Sequence, residues 1–356
     1  MNIEYHEDPV EDRPEATVDR FEKIVPERRH QADPGANADY MLWTFPQKDS
    51  RWFQQTQLYR LEPGEHTAFH AHLESVEGPM ERSIRIFGGE AVLRTEFWDE
   101  RLRRNDFVLV PAGAAYQLGN PGREPLWVAD VGSVGDNELQ DESWLEPHER
   151  PGYAEEYGRI MAARAARDLP TEVDDPGYDG DPDDNRPEPE VHHFAETQPT
   201  WFAEAPQTGS NSNRRDWIST VEAGDWFPQN AIQRLDPGEY VSMHAHFENE
   251  GPYEENYWVL DGTARLQTEY WDATLEKFDC AFFPTGCAHN FGNAGTEPMW
   301  FVAWVSRGGV GADFEINEVE TGDRPGLEED YRRVMAARKM RGLPVHPHVE
   351  VDLGEE

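Results

Sequence analysis

A long twofold repeat constrains this chain's fold more than any other feature of the sequence. RLEPGEHTAFHAHLE at residues 60–74 returns as RLDPGEYVSMHAHFE at 234–248. RTEFWD around Trp98 returns as QTEYWD around Trp271, and PAGAAYQLGN at 111–120 returns as PTGCAHNFGN at 284–293. The tails also match, residues 150–170 with 324–344. The offset is 174 positions from Arg60 to Arg234 and 173 from Pro111 to Pro284, with the one-residue difference at Val76. A solenoid needs several shorter units, so two long copies mean two globular domains. We expect an N-terminal extension at 1–35, one domain at 36–170 and a second at 191–356. Residues 171–190 are acidic and rich in Pro and Gly, the composition of a linker.

Within each copy the signals are mostly β. Short alternating runs at 257–260, 264–268, 281–284 and 300–305 are bounded by Gly, Pro, Asn or Asp. Evenly spaced short strands with turn signals predict an all-β antiparallel barrel or jelly roll. Each copy closes with one helical pattern, around 157–167 and 331–341. Ile160 and Met161, or Val334 and Met335, face inward, and arginines fall near the end, where cations suit the helix dipole.

Acidic residues outnumber basic ones by 71 to 32, a formal net charge of −39, and only four of the basic residues are lysine. The acid is spread among aromatic runs and reads as the surface of both domains rather than as a tail for basic partners. Self-repulsion of this size destabilises a compact state, and a Debye length of roughly 3 Å in molar salt would screen it. The composition therefore implies a salt-rich cytoplasm, as in halophilic microbes. It argues against nucleic acid and anionic membranes, which need basic patches. The N-terminus is acidic without an apolar core, and no run approaches the ~18 apolar residues of a membrane helix. A soluble cytoplasmic protein is expected. Cys280 and Cys287 suggest no disulfide framework.

The second copy holds a candidate metal constellation. His244 and His246 are two apart, so on a strand both imidazoles point to one face. Glu255 starts the next strand, seven residues before Gly262, and His289 follows a Pro-x-Gly turn. A lone HxH pair is most simply two strand histidines. Three imidazoles and a carboxylate together suit Fe(II), Mn(II), Ni(II), Cu(II) or Zn(II) better than calcium. Glu248 and Glu250 are nearby acidic rivals that miss the seven-residue step to Gly262.

These residues resemble the cupin superfamily, and the duplication resembles a bicupin, implying two tandem jelly-roll domains, each followed by a helix. Gly238, His244, His246, Glu255 and Gly262 fit the first cupin motif, with a longer gap before Glu255 than is usual. Pro284, Gly286, His289 and Asn293 fit the second motif, with Phe278 in place of its leading glycine. The resemblance spans both repeats and implies one divalent transition metal, Fe(II) foremost, held by His244, His246, Glu255 and His289. In the first copy His70 and His72 remain, but Arg82 stands in the glutamate position and Tyr116 in the third-histidine position. Neighbouring Glu81 would point to the opposite face of a strand. We expect this site to be poor in metal or empty, with a structural role or binding of an anionic group by Arg82 left open.

Phe247, Tyr253, Tyr257, Trp258, Phe282, Phe291, Trp300 and Trp304 surround the second site in sequence. Each is most simply core; as a set they imply an aromatic-lined pocket, with Phe247, Tyr257, Phe282, Phe291 and Trp300 as candidates to touch substrate. Cys287 is expected to be a buried inert thiol, His346 and His348 a solvent-exposed tail, and His192 and His193 packing or hydrated residues. The resemblance implies a metal-dependent oxidoreductase, a dioxygenase acting on an aromatic or enolic small molecule, with Glu255 also taking a substrate proton. Gentisate itself is disfavoured, because related bicupins use an all-histidine site in the first cupin. A cupin sugar isomerase or epimerase and a non-catalytic binding cupin remain alternatives. Monomer and homo-oligomer are both compatible with a duplicated cupin.

Overall fold

A computed structural model describes residues 1–31, 35–47, 50, 53, 55–72, 80–133, 146–182, 185–203, 211–220, 229–246, 254–306, 326–347 and 349–354. Val76, Phe247, Glu248, Glu250, Tyr253 and His348 lie outside the described residues. Within them β-strands dominate, with two α-helices, α1 (Tyr153–Ala166) and α2 (Leu327–Met340). Among the described residues no helix is long and apolar enough to cross a membrane.

The expected all-β fold of two jelly-roll barrels is what the strands build. In the first barrel a seven-stranded sheet runs Glu190–His192, Phe107–Val110, Arg82–Gly88, Leu126–Gly132, Gln55–Leu61, Ala38–Phe45 and Glu27–Gln31. A four-stranded sheet of His70–Ala71, Ala115–Gly119, Glu90–Thr95 and Asp99–Arg103 packs against it. Leu61, Ile84, Ile86, Leu93, Leu118 and Val128 form the core between them. In the second barrel the large sheet runs Thr200–Ala203, Asn213–Thr220, Gln229–Leu235, Met299–Val305, Glu255–Asp261, Cys280–Phe283 and Thr17–Asp19. Its partner sheet holds Asp272–Leu275, Ala264–Thr268 and His289–Asn293.

The two-residue period of a strand decides which aromatic serves which core. Tyr257 and Val259 point into their own barrel with Phe283, Phe291 and Phe301. Trp258 and Leu260 point the other way, into a third cluster shared with Trp43, Phe45 and Phe87 of the first half. The large sheets thus pack back to back, buried on both faces. Buried polar groups are tied across this seam: the Trp304 indole donates to Ser83 Oγ at 2.8 Å.

The halves also exchange strands. Thr17–Asp19, in the N-terminal extension, pairs with Cys280–Phe283 of the second barrel. Glu190–His192, at the end of the linker, pairs with Phe107–Val110 of the first. The exchange is reciprocal in detail: the Trp271 indole donates to Glu15 at 3.2 Å, and that of Trp98 to Glu188 at 3.3 Å. Extension and linker are thus built into the sheets of the opposite domains. His192 and His193 sit in this crossing segment, His193 Nδ1 lying 3.0 Å from Asp106. At the chain ends Asn2–Glu4 pairs in parallel with Glu350–Asp352.

Both helices begin about one turn earlier than expected, at a glycine with left-handed backbone (Gly152 φ 78°, Gly326 φ 80°). Arginines fall in the last turn of each helix, as the dipole expectation has it, and are also built into the packing. Arg164 and Arg338 are fully buried and reach Asp99 at 2.8 Å and Asp272 at 2.7 Å. Arg159 meets Glu96 at 2.5 Å and Arg333 meets Glu269 at 2.6 Å. The repeated TEFWD and TEYWD motifs are therefore docking sites for the helices. The expectation for His346 is corrected: it is buried, with Nδ1 3.0 Å from the Tyr331 hydroxyl.

Candidate metal centre

Glu255 and His289 reach the second barrel's interior from the starts of strands, and His244 and His246 from a segment outside the regular strands. Glu255 opens the strand Glu255–Asp261, and His289 opens His289–Asn293 on the opposite sheet. His244 faces His289 in an isolated antiparallel bridge, with N–H to C=O distances of 3.0 and 2.9 Å. The Pro-x-Gly turn closes on the HxH segment, because the Gly286 amide donates to the His246 carbonyl. As a result His244, His246, Glu255 and His289 bring one ligand atom each to within 4.8 Å of one another, and all four are buried.

The motif's departure at Phe278 has a local solution. Phe278 adopts φ 70°, the left-handed conformation that favours glycine. The turn persists because the Phe278 ring packs on Phe21 at 5.4 Å and Trp127 at 5.2 Å between the barrels. At Gly262 the glycine is required, since φ is +83° and a Cβ would lie 2.9 Å from Met299 Cα.

Hydrogen bonds orient two of the rings. His244 Nδ1 lies 2.8 Å from the Ser242 carbonyl, and His289 Nδ1 lies 3.1 Å from the Cys287 carbonyl. A carbonyl only accepts, so each Nδ1 carries the proton and each Nε2 presents a lone pair. His289 Nε2 sits 2.9 Å from Glu255 Oε2, and His246 Nε2 sits 3.3 Å from the same oxygen. A lone pair facing a carboxylate at that distance calls for a cation or a further proton between them. The donor set, three imidazoles and a carboxylate, fits a divalent transition metal. Burial would raise the Glu255 pKa, but the His246 and His289 imidazoles outweigh it and hold the carboxyl well below its usual range.

Two neighbours complete the surroundings. The Tyr257 hydroxyl donates to Glu255 Oε2 at 3.1 Å. Phe283, which the sequence reading missed, stacks on His289. Its signal was its place beside Pro284, opposite Glu255 in the strand register. Of the other pocket candidates, Phe291 lies in the same barrel core. Phe282 and Trp300 do not face the centre. Both point into the cluster between the barrels, with Phe282 fully buried there and Trp300 stacked on Trp217 at 5.1 Å. An apolar run buried on both faces hides its alternation, which is why they were misassigned. Cys287 is buried, and burial pushes its thiol pKa up.

The first barrel carries the same scaffold with different groups. His70 and Tyr116 face each other across a strand pair, rings 4.7 Å apart. The Arg82 Nε lies 3.3 Å from His72 Nε2, and its Nη2 donates to Gln55 at 2.7 Å. Asp130 pairs with Arg82 at 3.4 Å, and Arg150 approaches His72 Nδ1 at 3.4 Å. Burial and then the two guanidinium charges hold the His72 pKa well below its usual value. Among the described residues, the second barrel's quartet is the one cluster of three or more His, Cys, Asp or Glu able to hold a metal.

Comparison with known proteins agrees with this architecture. Residues 231–305 match the family model of the cupin domain. No curated protein sequence matches the chain. The structure is similar to the Lactobacillus farciminis oxalate decarboxylase in its formate complex (15% identity, 85% of this chain and 87% of that chain, TM-score 0.52). It is also similar to a Trp-to-Tyr variant of oxalate decarboxylase from Bacillus subtilis (14% identity, 83% and 78%, TM-score 0.53). A third similar structure is the Ylba protein from E. coli (10% identity, 83% and 93%, TM-score 0.50). Residues 231–305 thus match the cupin domain, and the fold of the two barrels is similar to that of these structures.

Proposed function

We propose that the second barrel binds one divalent transition metal through His244, His246, Glu255 and His289 and is the active centre of a metal-dependent cupin oxidoreductase. The reading rests on the buried quartet, whose ligand atoms lie within 4.8 Å of one another. The proposed substrate is a small aromatic or enolic molecule, and the proposed reaction a dioxygenation. Fe(II) is the leading metal, with Mn(II), Ni(II), Cu(II) and Zn(II) as alternatives. The bound metal supplies Lewis acidity and, for a redox-active ion, a path for electrons between substrate and oxygen.

The chain's own groups have separable roles. Ser242 and Cys287 carbonyls fix the tautomers of His244 and His289. The Tyr257 hydroxyl holds Glu255 Oε2, which leaves Oε1 as the proposed acceptor of a substrate proton. Buried aromatic walls at Tyr257, Phe283 and Phe291 exclude water from the ligand atoms. The proposed setting is a salt-rich cytoplasm, with a small-molecule substrate and neither nucleic acid nor membrane as partner, the chain acting as a monomer or homo-oligomer.

The test is reconstitution of the full chain with each metal, followed by elemental analysis and oxygen uptake with catechol, gentisate and flavonol. One metal per chain and oxygen consumption with at least one of them is the expected result. Substoichiometric metal would sink the metal assignment. Metal retention without oxygen uptake would sink the dioxygenase reading. Anaerobic turnover of a phosphorylated sugar would replace it with an isomerase, and ligand retention without turnover with a binding protein. Oxalate belongs in the same panel, because two of the similar structures are oxalate decarboxylases.

A further inference from the structure

The twofold repeat places two equivalent clefts along the seam between the barrels, and the chain itself fills one of them with a ring. There Phe278 lies against Phe87 at 6.0 Å, the rings parallel to within 14°, against Trp127 at 5.2 Å and against Phe21 at 5.4 Å. The Lys277 ammonium stands 5.0 Å from the centre of the Phe278 ring. Each of these residues has a counterpart at the repeat's offset of 173 positions: Leu260 for Phe87, Trp300 for Trp127, Phe194 for Phe21, Arg104 for Lys277 and Asn105 for Phe278. The counterparts are placed alike. The Phe21 amide donates to Asp279 and the Phe194 amide to Asp106, both at 2.9 Å. Phe278 and Asn105 share the left-handed backbone, φ 70° and 75°.

What differs is the ring. Asn105 has none to place between these walls, and a cleft of about 380 Å³, open to solvent, lies there instead, lined by Arg104, Asn105, Phe194, Leu260, Asp261 and Trp300. That volume falls in the ordinary range of small-molecule pockets. The frame behind it is intact. Phe194 and Trp300 pack on Trp217 at 5.3 and 5.1 Å, just as Phe21 and Trp127 pack on Trp43, both at 5.3 Å. The walls that hold the Phe278 ring are therefore reproduced without it. On the rim stand one charge of each sign, Arg104 and Asp261, both exposed. Such a rim favours neither an anion nor a cation, whereas a guanidinium beside a ring face is attracted to its π-system.

We infer that this cleft binds a small uncharged aromatic molecule, its ring lying among Leu260, Trp300 and Phe194 as Phe278 lies in the equivalent cleft, with the Arg104 guanidinium beside it. None of these residues is a ligand of the metal proposed for the second barrel, so the two assignments stand or fall separately. The test is titration of the full chain with 4-fluorophenol and with 5-fluoroindole, followed by fluorine NMR, with cyclohexanol as a competitor of similar size that has no π face. The expected result is saturable binding of at least one aromatic probe, which an equimolar amount of cyclohexanol does not displace. Asn105→Phe supplies the ring covalently, at the same backbone conformation that Phe278 adopts, and should weaken binding at least tenfold. Its thermal transition is recorded to establish folding. Arg104→Ala, on the exposed rim, keeps the test decisive where Asn105→Phe fails to fold, and should weaken binding roughly two- to fivefold. Absence of saturable binding of both probes, affinity unchanged in folded Asn105→Phe or in Arg104→Ala, or displacement by equimolar cyclohexanol overturns the inference.

Discussion

Phe283 lies flat against the imidazole of His289, the ring centroids 4.0 Å apart and the planes 20° apart. The stack and the Cys287 carbonyl together fix the direction of His289 Nε2. Groups that orient a ligand from behind typically contribute 10- to 100-fold to metal affinity. Phe283→Leu keeps most of the volume and should cost less than about 1.5 kcal/mol of stability, yet weaken metal binding about tenfold. Chelator competition measures this. Unchanged affinity would mean that the carbonyl alone orients the ring.

The two sites occupy the same register, His289 opposite Thr268 and Tyr116 opposite Thr95. His289→Tyr, which copies the first barrel, should abolish metal retention. The reverse pair, Arg82→Glu with Tyr116→His, should raise the metal content from one to two per chain. Elemental analysis reads both. Retention of metal by His289→Tyr would show that the ligands are misassigned.

His72 gives a pH dependence whose sign is fixed. Burial and the charges of Arg82 and Arg150 hold its folded pKa well below the ordinary 6.5. The unfolded chain therefore takes up a proton near pH 6.5 that the folded chain refuses. Stability contributed here is intact above pH 6.5 and is lost as pH falls, by up to ~1.4 kcal/mol per pH unit. His72→Asn removes this term, so the difference in Tm between wild type and variant should shrink from pH 7.5 to 5.5. A difference constant over that range would contradict it.

Deleting residues 1–19 should damage the second barrel more than the first, although the deleted residues lie beside the first in sequence. The cut removes the strand paired with Cys280–Phe283 and the Glu15 carboxylate beneath Trp271. Metal loading should fall and the edge strand should promote association, which light scattering detects. Full loading in a monodisperse truncated chain would refute this.

Salt should stabilise the protein. With a formal charge of −39, shortening the Debye length from about 10 Å at 0.1 M to about 3 Å at 1 M relieves self-repulsion. Calorimetric Tm should rise over that interval in KCl. A flat or falling Tm would remove the basis for a salt-rich setting.

Much of the site was legible because its ligands follow strand arithmetic. The two-residue step of His244 and His246, and the turn before His289, need only local geometry to converge. Phe282 and Trp300 were illegible for the opposite reason, since a sheet buried on both faces shows no polar alternation to tell inside from outside. Arg164 and Arg338 look in sequence like solvated helix ends. Only the long-range carboxylates Asp99 and Asp272 reveal them as anchors. The exchanged strands Thr17–Asp19 and Glu190–His192 are three residues each, too short to carry a periodic signal.

Strand exchange also sets a schedule for biosynthesis. Val18 leaves the ribosome before its partner Ala281, which is made 263 residues later in the chain. At translation rates of about 5–20 residues per second, the first segment waits on the order of tens of seconds for its place in the sheet. Until then the N-terminal arm is exposed to whatever else can pair with it. Asp19 within the strand and Glu15 just before it are well suited to keep so short an edge from finding the wrong partner.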